Sequence, residues 1–329
     1  MNAIANVAIH PSQFPDSVRC DLLESLRSRN INHKFHYDSV KQAQKWLALH
    51  QIYSPSRHDK NVRAIYEQSF EGAAAKIKSK KVHVIGLGCG GGQKDTRLLK
   101  LLKSHGKEIA YAPCDVSVAM VLTARKAALV VLPDQNCFPL VCDLATANDL
   151  PEILATRHPT LVTFFGMIPN FEPQTILPKL ISLLRPNDYL LFSANLAPGK
   201  NYEVGMKKVL PQYDNAPTRD WLMTFLLDLG IEKQDGELRF AIERGDLGSK
   251  RIAARFHFLR AHKIKIEGRV FDFKIGGAIR LFFSYRYTPE QVCKLLENNG
   301  LRIVERWIAK SEEEGVFLAH RSGASEERR

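Results

Sequence analysis

A chain of 329 residues, 45% hydrophobic and 25% charged, has an ordinary globular composition and length for one large domain or two smaller ones. No apolar run approaches the roughly 20 residues that span a bilayer, and Met1 to Val7 lacks the basic-then-apolar order of a signal peptide, so a cytoplasmic protein without membrane segments is expected. The formal net charge of +12 invites nucleic acid, but its densest cluster, Lys76 to Lys81, falls at the end of an expected helix, where cations favourably meet the dipole; nucleic acid is not the expected partner. The six cysteines include no C-x-x-C pair, which favours free thiols and no metal site.

In chain order, helices are predicted near Asp16 to Ser28, Ser39 to His50 and Asn61 to Ile77. A buried strand from Val82 then runs into five glycines within seven residues, Gly86 to Gly92, followed by a helix opened by Asp95 and Thr96 with Leu98, Leu99, Leu101 and Leu102 on its apolar face. Strands follow at Ile109 to Cys114, Phe138 to Cys142, Thr160 to Phe165 and Tyr189 to Ser193, separated by helical stretches such as Ser117 to Ala128 and Asn148 to Arg157. That alternation implies a parallel sheet covered on both faces. Between about Ala194 and Arg286 the pattern changes. A helix from Thr218 to Leu229 precedes period-2 segments at Phe256 and Phe258, Ile264 and Ile266, and Phe271 to Ile275, which predict an antiparallel sheet. A capped helix from Thr288, stopped by Gly300, and two strands, Arg302 to Ile308 and Gly315 to His320, close the first sheet at seven strands. The tail 322–329 is expected to be disordered.

The glycine loop admits two cofactors. Gly86-x-Gly88-x-x-Gly91 satisfies the dinucleotide pattern, and Gly86-x-Gly88-x-Gly90 the shorter pattern of S-adenosylmethionine (SAM) methyltransferases. Asp115, 27 residues after Gly88, suits the ribose hydroxyls in either case. A second acid at the end of the next strand, Asp143-Leu144, and the segment Gly166-Met-Ile-Pro-Asn-Phe171 after the fourth favour SAM.

Lys34-Phe-His-Tyr-Asp38, Tyr53-Ser-Pro-Ser-Arg57, Gly88-Cys-Gly-Gly-Gly-Gln-Lys94, Pro113-Cys-Asp-Val-Ser117 and Phe164-Phe-Gly-Met-Ile-Pro-Asn170 together resemble the histidine-specific SAM-dependent methyltransferases of ergothioneine biosynthesis, over roughly His33 to His320. The resemblance implies an α/β protein: a class I, Rossmann-like methyltransferase domain with a seven-stranded sheet (58–195 and 287–321), and a second α+β substrate-binding domain (10–57 and 196–286). It implies a monomer. By position, Gly88, Gly90, Lys94, Asp115, Asp143 and Leu144 resemble SAM contacts; Asn170 and Tyr37 resemble residues at the reacting amine, and Tyr53, Tyr213, Phe282 and Ser284 resemble substrate contacts. One departure bears on specificity. Where the histidine enzymes present a Glu and a Ser to the imidazole, this chain keeps Ser284 but has Phe282. A phenyl ring cannot accept the imidazole N–H, and leaving it unpaired costs about 1 to 3 kcal/mol. The expected activity is therefore N-methylation of the α-amine of a free amino acid, or of a small molecule derived from one, other than histidine. The alternatives are a methyltransferase of RNA or protein, and a non-catalytic SAM-binding protein.

Overall fold

The computed structural model describes residues 4–245 and 248–321; the tail 322–329 lies outside the described residues. In chain order the elements are β1 (Ala8–Ile9), α1 (Pro15–Ser28), α2 (Val40–Tyr53), α3 (Pro55–His58), α4 (Lys60–Lys76), β2 (Lys81–Leu87), α5 (Gln93–Ser104), β3 (Glu108–Asp115), α6 (Val118–Ala128), β4 (Leu140–Val141), α7 (Leu150–Ile153), β5 (Thr160–Phe165), α8 (Pro173–Ser182) and β6 (Tyr189–Asn195). There follow α9 (Tyr202–Val209), α10 (Ala216–Asp228), β7 (Gly236–Arg244), β8 (Lys250–Phe258), β9 (His262–Ile266), β10 (Arg269–Phe273), β11 (Ala278–Arg286), α11 (Pro289–Glu297), β12 (Leu301–Ile308) and β13 (Glu314–Arg321). Two compact units result. The first takes residues 4–13, 54–196 and 287–321, and the second takes 14–53 and the described part of 197–286. Residues 10–13, 54–57 and Leu196, expected in the second domain, thus group with the first, where the His10 amide donates to Val141 O at 2.9 Å.

The first unit is built on one sheet of order β1-β4-β3-β2-β5-β6-β13-β12, parallel from β1 to β6 and antiparallel at β13 and β12. It has eight strands rather than seven, because the two-residue β1 adds in parallel to β4. From Val82 to Leu87 β2 is buried without a break, as expected of a strand with helices on both faces. Leu98, Leu99 and Leu102 of α5 and Ile65 and Phe70 of α4 join its core. Register sets Leu87 beside Cys114 and Gly86 beside Thr163, so the carboxyl ends of β2, β3 and β5 lie at one level, where open α/β sheets bind ligands. Two predicted elements are shorter than expected. Only Leu140 and Val141 of the Phe138 to Cys142 segment form strand: Pro139 has no N–H to donate, and Phe138 is exposed. The Asn148 to Arg157 segment folds as the single turn α7.

The second unit holds two antiparallel sheets where one was expected, β11-β8-β7 and β10-β9. Strand β7 went unpredicted although Leu238, Phe240 and Ile242 alternate. Its core gathers Trp221, Leu222, Phe225 and Leu226 of α10 with Leu26, Ile31 and Phe35 from the N-terminal segment and Phe256, Phe258, Phe273 and Leu281 from the strands. A register shift between Arg280 and Phe282 bulges β11. On the free edge of that strand, the Arg280 amide donates to Arg29 O at 2.9 Å and its carbonyl accepts from the Ile31 amide at 2.8 Å.

Candidate active site

In the first unit the glycine loop joins β2 to α5. Gly88, Gly90 and Gly92 have φ of 60°, 50° and 70°, a left-handed conformation costly for residues with a Cβ. At Gly92 a Cβ would also meet the Ala124 Cα of α6 at 2.6 Å, so that close approach requires glycine, and at Gly88 it would meet Met167 Cγ at 2.6 Å, a side chain that would have to shift. Asp115, buried at the end of β3, binds the loop: its Oδ2 accepts from the Gly90 amide at 3.0 Å and its Oδ1 from the Ser117 amide at 3.0 Å. Burial pushes its carboxyl up, and the Ser117, Gly90 and Val116 amides oppose that shift. Asp143, also buried, follows β4; its Oδ1 accepts from the Ala145 amide at 2.9 Å, and its own amide donates to Ser12 Oγ at 3.0 Å. The N-terminal segment thereby steadies this turn, with Ser12 Oγ in turn 2.8 Å from His10 Nδ1. Leu144 beside it is buried. Asn170 closes the turn Ile168–Asn170 after β5, its amide donating to Met167 O at 2.9 Å. Gly88, Gly90, Asp115, Asp143 and Asn170 thus all stand at or just beyond the carboxyl ends of β2 to β5.

Lys94 has a different setting. Its ammonium donates to Tyr66 Oη at 2.7 Å and lies 4.3 Å from that ring's centroid and 3.8 Å from Glu314, to which Tyr66 Oη also donates. Burial lowers the lysine pKa while Glu314 and Asp95 oppose the shift. Ser193 Oγ accepts from the Gly166 amide at 2.8 Å and holds the Tyr66 phenol pKa down against its burial, so the cluster reaches the turn that follows β5. Tyr66, Ser193 and Glu314 were not singled out from sequence. Glu314 was hidden in the run Glu312 to Glu314, and Tyr66 in an amphipathic helix. Asp95, read as a helix opener, instead turns inward and accepts from Tyr111 Oη at 2.7 Å and Thr163 Oγ1 at 2.8 Å.

In the second unit Tyr213, Phe282 and Ser284 come together. Tyr213 Oη lies 3.0 Å from Ser284 Oγ, and Arg286 Nε donates to Tyr213 Oη at 3.0 Å. Arginine only donates, so the phenol oxygen accepts from it and its proton stays available to Ser284 or to a ligand. Arg286 is buried and was not singled out from sequence; a charge at the end of the largely apolar β11, which also carries Arg280, was the available signal. Phe282 is enclosed by aromatic rings, His33 stacked at 5.2 Å, Trp221 edge-on at 6.0 Å and Tyr213 at 6.3 Å. Tyr37 extends the set through Trp221, at 5.5 Å, and Trp46, at 5.8 Å. Tyr53, the last residue of α2, is 49% exposed, and no hydrogen bond among the described residues ties it to this group.

Burial lowers the pKa of His36 from 6.5 to about 4, although Leu281 O, 2.6 Å from its Nε2, opposes the shift. The native protein therefore resists protonation that the unfolded chain accepts below 6.5, and stability falls as pH drops from there toward 4. His36→Gln, which can still donate to Leu281 O, is expected to lose about 2 kcal/mol less than the parent between neutral pH and about pH 4.5 in urea denaturation. Equal losses in both proteins would remove His36 from the acid response.

The family model for histidine-specific, SAM-dependent methyltransferases matches residues 18–221 and 237–321. The chain belongs to this family. It is a SAM-dependent methyltransferase, and its sheet has the class I order with one added edge strand. The glycine loop, the buried carboxylates of Asp115 and Asp143 and the level strand ends fit an adenosyl donor. No curated protein matches the sequence. Similar solved structures include the CcbJ methyltransferase from Streptomyces caelestis, with 15% identity over 78% of this chain and 95% of that one and a TM-score of 0.41. Magnesium protoporphyrin IX methyltransferase from Synechocystis PCC 6803 is 14% identical over 86% of this chain and 95% of its own, with a TM-score of 0.44. The sugar N-methyltransferase KedS8 from Streptoalloteichus sp ATCC 53650 is 12% identical over 83% and 93%, with a TM-score of 0.42. Among the described residues no helix is long and apolar enough to cross a membrane.

Proposed function

We propose that this methyltransferase acts on the α-amine of a free amino acid, or of a small molecule derived from one, whose side chain is more apolar or aromatic than that of histidine. The observation that carries the reading is the surround of Phe282: at the position where the histidine enzymes hold a glutamate, the second unit has a phenyl ring among Trp221, Tyr213 and His33. An imidazole N–H placed there finds no carboxylate, whereas a flat apolar side chain finds ring faces and edges.

SAM supplies a methyl group on a sulfonium centre open to in-line displacement by an amine. Gly88, Gly90, Lys94, Asp115, Asp143 and Leu144 are the residues proposed to hold it. The work left to the chain is to align the amine and keep it unprotonated, so positioning dominates and desolvation favours the neutral nucleophile. Asn170 and Tyr37 are proposed to orient the amine, and Tyr213 with Ser284 to hold the amino acid, the Arg286 donor leaving the phenol proton available to Ser284 or to the ligand. Tyr53 completes the proposed substrate set. A nucleic-acid substrate is disfavoured by the basic cluster's own contacts: Lys80 pairs with Glu108 at 2.8 Å, and Lys76 lies in the last turn of α4.

The test is incubation with SAM and a panel of free amino acids and derivatives, with mass spectrometry for gains of one, two or three methyl groups. A methylated aromatic or apolar amino acid, and little or no methylated histidine, is the expected result. Asn170→Ala and Tyr213→Phe are expected to impair amino-acid turnover while SAM binding survives. Efficient trimethylation of histidine would overturn the specificity, and SAM binding lost equally in both variants would overturn the residue roles.

A further inference from the structure

The free edge of β11 is finished by side chains where its backbone pairing ends. Beyond the Arg29 and Ile31 contacts, the bulge leaves Leu281 O, 2.6 Å from His36 Nε2, and the Phe283 amide, which donates to His33 Nε2 at 3.4 Å. These two contacts fix opposite tautomers. A carbonyl only accepts, so His36 carries its proton on Nε2; an amide only donates, so neutral His33 carries its proton on Nδ1. The His33 Nδ1–H is buried and has no hydrogen-bond partner among the described residues. Burial lowers the pKa of His33 to about 3, with His36, Arg280 and Arg251 adding to the shift, so the ring is neutral at physiological pH. A buried donor without an acceptor is costly, and such groups in native proteins call for an explanation.

Its position supplies one. The His33 ring stacks on Phe282 at 5.2 Å and meets Phe283 edge-on at 4.7 Å. The guanidinium groups of Arg280 and Arg251 lie 4.9 and 5.0 Å from the Phe283 ring centre, the second paired with Glu243 at 3.3 Å, and both act against a second proton on His33. We propose that His33 is a specificity-determining residue whose Nδ1–H donates a hydrogen bond to an acceptor on the substrate's side chain, lying against Phe282. The histidine enzymes present an acceptor at this wall, and this chain presents a donor. The substrate class narrows accordingly to amino acids with a flat side chain that carries an acceptor, a carbonyl oxygen or a pyridine-type nitrogen, and no ring N–H of its own; histidine stays outside it because its second ring nitrogen brings an N–H that Phe282 cannot accept. The inference rests on the proposed function in one respect, that Phe282 faces the amino-acid side chain.

The test uses L-phenylalanine and the 2-, 3- and 4-pyridyl-L-alanines, which keep the ring's shape and replace one CH by a nitrogen acceptor. Binding is read by isothermal titration on protein saturated with S-adenosylhomocysteine, above neutral pH so that the pyridines are uncharged, and product is read by mass spectrometry with SAM in parallel. One pyridyl isomer is expected to bind about fivefold more tightly than phenylalanine, the ratio for one net hydrogen bond. His33→Asn, whose amide N–H stands in for Nδ1–H, is expected to keep that ratio. His33→Gln, whose side-chain oxygen can still accept from the Phe283 amide, is expected to abolish it. Titration of S-adenosylhomocysteine into each variant checks that the fold survives. Equal binding of all four ligands to the parent, no binding of any, or a preference that persists in His33→Gln overturns the proposal. Discrimination without methylated product leaves His33 standing and sinks the N-methylation reading; methylation without discrimination does the reverse.

Discussion

Asp115→Ala is expected to weaken binding of SAM and of S-adenosylhomocysteine about 100-fold or more in isothermal titration, the largest loss from any single change in the first unit. The carboxylate does two jobs at once. Its oxygens hold the Gly90 and Ser117 amides at 3.0 Å each, shaping the loop, and its place at the tip of β3 suits the ribose hydroxyls of the donor. Alanine leaves two backbone donors without their acceptor and removes charge-assisted bonds worth roughly 1.5 to 3 kcal/mol each, which makes about 3 kcal/mol a modest total. The milder change Asp115→Asn keeps one carbonyl acceptor and should fall between parent and alanine. Unaltered affinity in Asp115→Ala would detach Asp115 from the donor site altogether.

Lys94→Met is expected to lower stability by about 3 kcal/mol in urea denaturation, and a second change, Glu314→Gln, to restore a large part of it. Lys94, Tyr66 and Glu314 form a buried group whose members are 28 and 248 residues apart in its two hydrogen bonds. Each charge is poorly hydrated there, with the Lys94 and Glu314 side chains 19% and 10% exposed. Removing the cation leaves the carboxylate with Tyr66 alone and forfeits the cation–π contact, and breaking a buried pair costs about 3 to 5 kcal/mol because one charge remains uncompensated. Neutralising Glu314 relieves that charge, so the double variant should lose less than the sum of the singles. Strict additivity would mean the two residues act independently.

The local elements were legible because their signals are local. The largely apolar run of β2, the glycines that must adopt positive φ, and the capping box at Thr288 and Gln291 all act over a few residues, and the structure has each of them. The order of strands along the chain was therefore enough to expect a class I sheet. Edge additions were not legible: β1 contributes two residues, Ala8 and Ile9, too few for any periodicity. The candidate substrate wall was half legible. Phe282 and Ser284 stood out by resemblance, but nothing in the sequence indicated that Arg286 would donate to Tyr213, 73 residues away, or that a bulge in β11 would leave edge groups for His33 and His36 to finish.

What the sequence by itself determined is the succession of strands and helices and the loop that receives the donor, since steric limits on φ and the spacing of apolar residues operate along neighbouring positions. What only the tertiary structure decided is which polar groups are buried together, and thereby the tautomers of His33 and His36, the partners of Lys94 and the Arg286 donor to Tyr213. Those depend on desolvation and on hydrogen bonds between residues far apart in the chain, and their strength exists only once folding has removed the water between them.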